Sequence, residues 1–561
     1  MSGTNGHVKN RFCAKMREGN LSLHTYLSFV NLILEQAKGR LDRDGHALLS
    51  RALRQAYALK PLDSSIIELL LRLLPAGNDD AYAEKLRRER MYVKKHVTSD
   101  GKKKIALGYL EKFDYARALD CFMDALTQNS RDIDTLLYIY EICIHEGKLD
   151  ELQAVLDNAA ESFGPDNPYC FFFLGKQGEL AFVQNDLERA EHMLEQSQGR
   201  GMNTVFANLL AETRLRLGKK RQALEAWEQS LGMDGFQVPV YLKMYDAVSG
   251  QDNGAVENLS DCAINILMYT YNKLDMFRQT LERLAGTELG AARILLLENS
   301  CTDGTRDYLT SVQDLFPNNT VKVINLPTNI GAPAARNWLL AQPENRSCDF
   351  IAYLDDDVIL QNDWLKRLAG TLKKFPRAAV AGTKVVNQYR PKTIQYIYRF
   401  FDEIADDKLR LSSHHANDLD VGQFDFVRQC LSVMGCCHLF RADALLEVGE
   451  FDVRFSPSQV DDIDHDVLAA AKGYEIVYNG FIETIHCQKS GKDAFKNRAA
   501  WGNVRGNDFK FAMKHYTRDM LELKAITETR DTQYVKSKIR ELRTAGYLTT
   551  VPEVPIGIIE N

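Results

Sequence analysis

Several features common in other classes of protein are missing from this chain of 561 residues. It has no apolar run long enough to cross about 30 Å of hydrocarbon, and no apolar stretch of signal-peptide length follows its polar first eleven residues. Its formal net charge of −6 provides no basic field for nucleic acid. From these absences we expect a soluble, cytoplasmic protein with no transmembrane segment and no nucleic-acid partner.

The cysteines lack the spacing of metal sites and of disulfide scaffolds. They number 11, and no C-x-x-C pair occurs among them. The vicinal pair Cys436 and Cys437 does not have the spacing of zinc ligands. We therefore expect reduced, mostly buried thiols, as in proteins of the cytosol.

The chain contains two chemically different parts. The first 250 residues are rich in Leu, Ala, Glu, Lys and Arg and predict successive helices, whereas short apolar strands follow a polar linker near residue 250. A chain of this length suits roughly three to four domains. We assign an N-terminal helical region to 1–100, helical repeats to 101–250, an α/β domain to 260–515, and a helical tail with a loose end to 516–561.

A sequence pattern recurs within the first part. The small or apolar residues Ala118, Leu152, Ala190 and Ala223 are separated by 34, 38 and 33 positions, close to the tetratricopeptide period of about 34. A small residue lets the two helices of a unit approach each other. The segment 101–250 therefore resembles a degenerate tetratricopeptide array, an all-α solenoid whose concave face binds peptides or proteins. A generic helical bundle, and an array that only supports or dimerises the second part, are the alternatives.

The second part alternates short apolar strands with helices. Strands are predicted at 263–270, 292–297, 321–324 and 350–354. The order strand, helix, strand indicates parallel crossover units. Since ligands of open parallel sheets bind beyond the carboxyl ends of the strands, the residues after each strand are candidates for a site.

Three consecutive aspartates, Asp355, Asp356 and Asp357, follow the fourth predicted strand. Adjacent carboxylates repel one another by roughly a few kcal/mol, so a fold that clusters them commonly provides a cation. Mg²⁺ and Mn²⁺ take such oxygen ligands and leave positions for phosphate and water. The cluster predicts a divalent metal held against a diphosphate, and a simple helix cap is the alternative.

Several strings in the second part occur in the order found in glycosyltransferase family 2. The segments that resemble the strings of this family's donor side are 269–273, 298–305 and 329–337, ahead of the acidic residues that match its Asp-x-Asp string. The resemblance covers about 262–490. It implies a nucleotide-diphospho-sugar transferase domain with the Rossmann-like mixed sheet called GT-A.

Three further strings follow in the order of the family. The segment 433–441 resembles the one that lines the acceptor side. Residues 448–455 match Gly-Gly-Phe-Asp-Glu, except that Glu450 replaces the second Gly and Val453 the Glu. Residues 460–466 stand where the family has Glu-Asp-x-Asp. The resemblance implies that Asp462 is the general base, because the acceptor must lose a proton as it attacks the anomeric carbon. Asp461 and Asp464 are the reserve candidates, and a solvated acidic helix start is the alternative.

The resemblance also assigns roles on the donor side. The residues implied to bind the nucleotide-sugar are Tyr269, Tyr271, Asn272, Glu298, Asn299, Arg336, Asp355 and Asp356. Glu298 would accept the imide N–H of uracil or thymine, which favours a UDP-sugar, or else cap the next turn. Arg336 would reach the diphosphate or fix the acidic loop. Either Asp355 or Asp356 would contact the ribose, and the sequence does not decide which.

The implied metal ligands are Asp357, Asp355 and His486. Mixed carboxylate and imidazole ligands favour Mn²⁺ over Mg²⁺. A local hydrogen-bonding role for His486 stays open. The basic residues Lys489, Lys492, Lys496 and Arg498 either close over the diphosphate or form a solvated charge run.

Aromatic residues between 389 and 401 are either a sugar platform or part of a core. Together these features predict a metal-dependent, inverting glycosyltransferase that moves a sugar from a nucleotide-sugar to a large protein or glycan acceptor, which the repeats would hold. The rivals are a nucleotidyltransferase on a similar fold and an interaction scaffold with an inactive transferase domain. The sugar, the acceptor and the oligomeric state, a homo-oligomer included, are not decided by the sequence.

Overall fold

The computed structural model describes residues 3–37, 43–73, 80–96, 101–164, 167, 169–251, 258–389, 391–487 and 498–551. In this part of the chain, none of the helices combines the length and the apolar composition needed to cross a membrane. Two regions follow one another, an all-helical one and one built on a mixed sheet.

Fourteen helices make up the described residues up to 249. They are α1 to α14, in order Gly3–Glu18, Leu23–Ala37, Arg43–Leu59, Ser64–Leu73, Asp80–His96, Gly101–Leu110, Tyr115–Gln128, Ile133–Glu146, Leu149–Phe163, Cys170–Val183, Leu187–Arg200, Thr204–Arg216, Lys220–Met233 and Val238–Ser249. Asp114, Asp132 and Asp186 cap the helices that follow them by accepting a backbone N–H three residues later. The all-helical prediction is confirmed.

The packing of consecutive helices fits the tetratricopeptide-like interpretation. The predicted anchors at 118, 152, 190 and 223 are all fully buried. At Gly178 on α10, an added Cβ would lie 2.6 Å from the Leu194 side chain on α11, so these helices need a small residue at their contact. Phe122 stacks on Tyr138 of the next helix with 5.0 Å between ring centroids. The domain limits stay a prediction.

Twelve strands occur in the described residues that follow. They are β1 to β12, in order Ile264–Thr270, Arg293–Glu298, Val321–Asn325, Phe350–Leu354, Val358–Leu360, Ala378–Asn387, Ile394–Tyr396, Phe401–Ala405, Lys408–Leu411, Val427–Cys430, Cys437–Arg441 and Glu475–His486. The helices are α15 to α22, in order Leu274–Ala285, Thr305–Leu309, Ala332–Leu340, Trp364–Lys374, Ala442–Val448, Asp461–Ala471, Arg498–Lys514 and Thr517–Thr544. The four predicted strands correspond to β1 to β4.

The main sheet is mixed, with the order β10-β12-β6-β11-β4-β1-β2-β3. Strands β1 to β4 are parallel, as predicted, whereas β11 runs antiparallel to both β4 and β6. The short strands β5 and β7 pair with β12 and β6, and β8 with β9 form a separate hairpin. After β3 the chain returns to the other side of β1, which makes the gap between β1 and β4 a switch point in strand order. Ligands of open α/β sheets bind at such points.

The two regions share a hydrophobic core that includes residues of both. The fully buried Arg428 donates to Asp531 on α22 at 2.7 Å and to the Glu18 carbonyl of α1 at 2.9 Å. Its guanidinium lies over the rings of Tyr398 and Phe400. These aromatics therefore belong to the core, the second of their two predicted roles. Residues 552–561, which include nearly all of the end expected to be loose, lie outside the described residues.

Candidate active site

The aspartate cluster lies at the switch point between β1 and β4. Asp356 accepts a hydrogen bond from Thr270, the last residue of β1, at 2.7 Å. The ammonium group of Lys273 lies 3.0 Å from a carboxylate oxygen of both Asp356 and Asp357. The end of β1 thus holds two of the three aspartates. The third, Asp355, lies instead beside Arg336, which also pairs with Asp461.

Asp355, Asp357 and His486 offer ligand atoms that all lie within 4.8 Å of one another. Strand β5 brings them together, since it follows the aspartates directly and pairs Val358 with His486. The Nε2 atom of His486 is 3.0 Å from Oδ1 of Asp357. Within the described residues, neither of these two buried atoms has a hydrogen-bond partner.

Gln395 fixes the orientation of the His486 ring. Its Oε1 lies 2.7 Å from Nδ1 of His486, so Nδ1 carries a proton, and Nε2 either donates to Asp357 as part of an imidazolium or presents a lone pair when the ring is neutral. In the neutral form, which a metal ligand requires, a lone pair on nitrogen and a carboxylate oxygen point at a common position. Because two acceptors repel unless a cation or a proton lies between them, the residues fit a divalent metal with one imidazole and two carboxylate ligands.

The pKa values of the cluster have the same origin. Burial raises the pKa of Asp355, and the nearby Arg336 guanidinium offsets only part of the rise. Burial acts in the same direction on Asp357, but in the metal-free protein the His486 imidazolium and Lys273 outweigh it and hold the pKa of Asp357 below its usual range. Without a cation the fold therefore disfavours three ionised carboxylates at this point.

Arg336 on α17 lies between two acidic groups. One is the cluster of Asp355, Asp357 and His486, called the donor cluster from here on, and the other is the string 460–466. Its guanidinium forms a buried ion pair with Asp461 and lies 3.6 Å from Oδ1 of Asp355. The rings of Tyr269 and Phe451 flank it at 5.6 and 5.5 Å from their centroids. This is the fixing role among the two predicted for Arg336, and contact with a diphosphate stays a prediction.

Asp461 and Asp462 open helix α20. The Gly435 N–H donates to Oδ2 of Asp462 at 2.9 Å, and a Cβ at position 435 would lie 2.7 Å from the same oxygen. A glycine is thus needed where the loop passes the carboxylate. The next residue, Cys436, accepts the Asp355 N–H at 3.0 Å. Two adjacent residues of one loop therefore place the predicted base and the metal cluster side by side.

Two other acidic residues of α20 have partners within the chain. Asp464 accepts from Lys514 at 2.6 Å and from His515 at 2.7 Å. Asp466 accepts the Val433 N–H at 3.0 Å. These contacts indicate structural roles for Asp464 and Asp466 and leave Asp462 as the base candidate that faces the donor cluster.

The residues predicted to bind the nucleotide lie at the ends of β1 and β2. Glu298 is fully buried, and its carboxylate accepts from the Arg306 guanidinium at 2.6 and 3.0 Å and from the Cys301 N–H. Both oxygens thus have partners within the chain, which favours the turn-capping alternative. Asn272 accepts the Thr302 N–H at 2.7 Å and so joins the two strand ends.

Three other predicted residues differ in exposure. Tyr269 is packed beside Arg336, whereas the Tyr271 side chain is 46% exposed at the rim of the crevice. Asn299 accepts the Ile330 N–H at 3.0 Å and donates to Asn329 at 2.9 Å. Lys489, Lys492 and Lys496 lie outside the described residues, and Arg498 is the first residue of α21.

Residues 265–449 match the family model described as Glycosyl transferase family 2. This segment, 265–449, is recognised as a glycosyltransferase family 2 domain. The match spans β1 to α19, which includes the aspartate cluster, Arg336 and the loop at Gly435. The general-base string and His486 follow the matched segment.

Two curated proteins are similar to parts of this domain. The succinoglycan biosynthesis protein ExoM of Rhizobium meliloti (strain 1021) is 31% identical over 122 residues, 21% of this chain and 38% of that protein. The putative teichuronic acid biosynthesis glycosyltransferase TuaG of Bacillus subtilis (strain 168) is 26% identical over 104 residues, 18% of this chain and 39% of that protein. The matches thus span less than half the length of either relative.

A solved structure with partial likeness is the mannosyltransferase PcManGT from Pyrobaculum calidifontis in complex with GDP-Man and Mn²⁺. It is 15% identical, and the match covers 58% of this chain and 87% of that chain with a TM-score of 0.34. A score this low supports no conclusion about ligands or substrates.

Sequence reasoning assigned no role to four residues that shape the site. Thr270 and Lys273, at the end of β1 and just after it, belong to a recognised string, and that position was a signal that they face the aspartates. Gly435 also belongs to a recognised string, but its contact with Asp462 spans 27 positions. Gln395 contacts His486 across 91 positions, and no local pattern marks it.

Proposed function

We propose that this chain is a metal-dependent glycosyltransferase that moves a sugar from a nucleotide-sugar to a large acceptor, a protein or a glycan. The observation that carries the proposal is the pair of neighbouring acidic clusters, of which the three aspartates 355–357 lie within the segment that matches family 2. Asp355, Asp357 and His486 converge on one point, and Asp462 lies next to them across the Gly435 loop.

On the donor side, Asp357, Asp355 and His486 would hold Mn²⁺ or Mg²⁺, and the imidazole favours Mn²⁺. When bound, such an ion neutralises charge on a departing nucleoside diphosphate. Lys273 adds a positive charge at the same place. Asp356, held by Thr270 and Lys273, would contact the ribose, and Asp355 remains the alternative for that contact.

On the acceptor side, Asp462 removes the proton from the attacking hydroxyl. Its Oδ2 is oriented by the Gly435 N–H, and in the described part of the chain its Oδ1 has no hydrogen-bond partner within the protein. Asp461 cannot serve as readily, because Arg336 occupies its carboxylate. A single displacement of the nucleoside diphosphate by the acceptor inverts the anomeric carbon.

The nucleotide would lie across the ends of β1 and β2. Tyr271 is exposed there, and Tyr269, Asn272 and Asn299 line the same edge. Glu298 supports this edge by accepting from the Cys301 N–H and Arg306. Because these contacts occupy its carboxylate, a panel of donors must test whether the site prefers uracil. A UDP-sugar is the first donor to test.

The helical repeats would hold the acceptor. The last repeat helices are fixed to the transferase domain, since Lys243 of α14 pairs with Glu212 of α12 at 2.7 Å and also donates to the Gly422 carbonyl. Asp246 of α14 accepts the Val427 N–H at 2.6 Å. An acceptor bound along the array would thus be presented to the domain in a constant orientation.

A panel of nucleotide-sugars tests the proposal. Each donor is incubated with the full chain and Mn²⁺, with Mg²⁺, or with a chelator, and both donor hydrolysis and thermal stabilisation are measured. We expect one nucleoside diphosphate class to stabilise the protein and its sugar ester to be hydrolysed slowly, only with metal. The proposal is wrong if no donor and no nucleoside diphosphate binds.

A further inference from the structure

The turn that leads into helix α20 has an unfavourable backbone. Gln459 and Val460 have φ values of 79° and 74°, in the left-handed region. This region is costly for a β-branched residue such as valine, and it persists only where the surrounding structure holds it. The next two residues are Asp461 and Asp462, so the strain lies directly before the proposed base.

Asn507 of α21 holds this turn from one side. Its Nδ2 donates to the carbonyls of Phe455 at 2.9 Å, Ser458 at 2.9 Å and Gln459 at 3.2 Å. The side chain is 1% exposed, and Lys510 donates to its Oδ1 at 3.0 Å. The two N–H bonds of the amide thus serve three carbonyls, one N–H being shared by two of them, and a carboxylate there would repel all three.

The donor half of the site holds the same turn from the other side. The Ala332 N–H, at the start of α17, donates to the Pro457 carbonyl at 2.8 Å. The same helix carries Arg336, which pairs with Asp461. The turn is therefore held by hydrogen bonds from both α17 and α21. If the Asn507 hydrogen bonds were lost, Asp461 and Asp462 would move relative to Arg336.

Helix α21 also fixes the first turn of α20. At its end, Lys514 and His515 donate to Asp464, and Lys514 reaches Asp452 at 2.8 Å. The helix thus contacts the segment before the base and the residue two positions after it. These contacts make α21 the support that orients the base helix.

We propose that Asn507 is a positioning residue for the transfer step, because it holds the turn 455–460 so that Asp462 faces the donor cluster. This inference rests on the proposed function. It predicts that loss of the Asn507 amide lowers the rate of transfer while the donor side, held by β1, β4 and β12, keeps its affinity.

The test variant is Asn507→Asp, with Asn507→Ala as a second variant in case the carboxylate prevents folding. We expect kcat to fall by about 10- to 100-fold, since small misplacements of a reacting group have effects of this size. The KM for the donor and the stabilisation by UDP with Mn²⁺ should stay within about twofold of the native values. Hydrogen exchange in the 455–466 peptide should become faster, with the rest of the sheet unchanged.

The matched control is Asn203→Asp. Asn203 is also a buried asparagine that donates to a backbone carbonyl, that of Ala58 in the helical region, and a carboxylate keeps its capping role for α12. Its variant should keep the native kcat. The inference is overturned if Asn507→Asp keeps the native kcat, or if donor affinity falls as much as kcat.

Hydrogen exchange separates this inference from the proposed function. If the native chain binds no donor but the 455–466 peptide still loosens in Asn507→Asp, the proposed function fails while the support of the turn stands. If that peptide stays protected in both Asn507 variants, the inference fails whatever the activity of the native chain.

Discussion

The two acidic clusters of this site are arranged in opposite ways. In the helix α20, Asp461 pairs with the Arg336 guanidinium, and Asp464 pairs with Lys514 and His515. In the donor cluster, Oδ1 of Asp357 and Nε2 of His486 lie 3.0 Å apart and need a proton or a cation between them. The difference shows that a count of carboxylates is a poor guide to chemistry, because one cluster is neutralised within the chain and the other fits a cation from outside.

Loss of the proposed base should have the largest effect. Asp462→Asn keeps the Gly435 contact but cannot accept a proton, so we expect transfer to slow by about 10²- to 10⁴-fold. Single-turnover transfer measures this directly. Asp443→Asn, on the exposed side of α19, is the control and should keep full activity. An active Asp462→Asn enzyme would move the base role to Asp461.

Loss of a metal ligand should abolish a different property. In Asp357→Asn and His486→Ala, we expect Mn²⁺ to lose its effect on UDP binding and turnover, as a chelator would do to the native protein. Calorimetric titration of Mn²⁺ measures the loss. Asp363→Asn, which alters an aspartate paired with Arg367 outside the cluster, is the control. Unchanged Mn²⁺ affinity in both variants would show that the metal lies elsewhere.

Gln395 should have a smaller effect on the same property. Gln395→Ala frees Nδ1 of His486, so the imidazole loses its fixed tautomer, and we expect metal affinity to fall by about 10- to 100-fold. The control is Gln423→Ala, which removes a half-buried glutamine whose hydrogen bonds to Val421 and Leu419 lie within its own loop. Equal metal affinity in Gln395→Ala and the native protein would show that the Gln395 hydrogen bond does not prepare Nε2 of His486 for a metal.

The pH dependence of the metal-free protein should show the smallest effect. Burial raises the pKa of Asp355 above its unfolded value, so its contribution to stability is complete at a pH below about 3.9 and is lost as pH rises through the folded pKa. With a chelator present, we expect the melting temperature to fall by a few degrees as the pH rises from about 3.9 to about 7. Asp355→Asn should flatten the profile. An equal slope in the variant would argue against a strained cluster.

The parts predicted from sequence are those that depend on neighbours in the chain. Apolar runs located β1 to β4, and the strings after them marked Asp355 to Asp357, Arg336 and Asp462. The small anchors at a near-constant spacing indicated the helical repeats, which the structure fits. These signals are local because a strand and the turn after it are encoded by consecutive residues.

The missing parts depend on contacts between distant elements. Whether Glu298 meets a base or caps a turn depends on Arg306. Whether Asp464 is free depends on Lys514, the last residue of α21, and on His515, which follows it. The aromatic residues Tyr398 and Phe400 belong to the core because Arg428 lies against them. No pattern within either string carries this information, since the partner lies on another element.

The central claim is that one acidic cluster binds the donor through a metal and the other serves only the acceptor. Calorimetric titration of UDP in the presence of Mn²⁺ into the native protein, Asp357→Asn and Asp462→Asn tests it most directly. We expect Asp462→Asn to bind UDP within about twofold of the native affinity, whereas Asp357→Asn should show no metal-dependent binding. Equal loss in both variants, or native binding in Asp357→Asn, would contradict it.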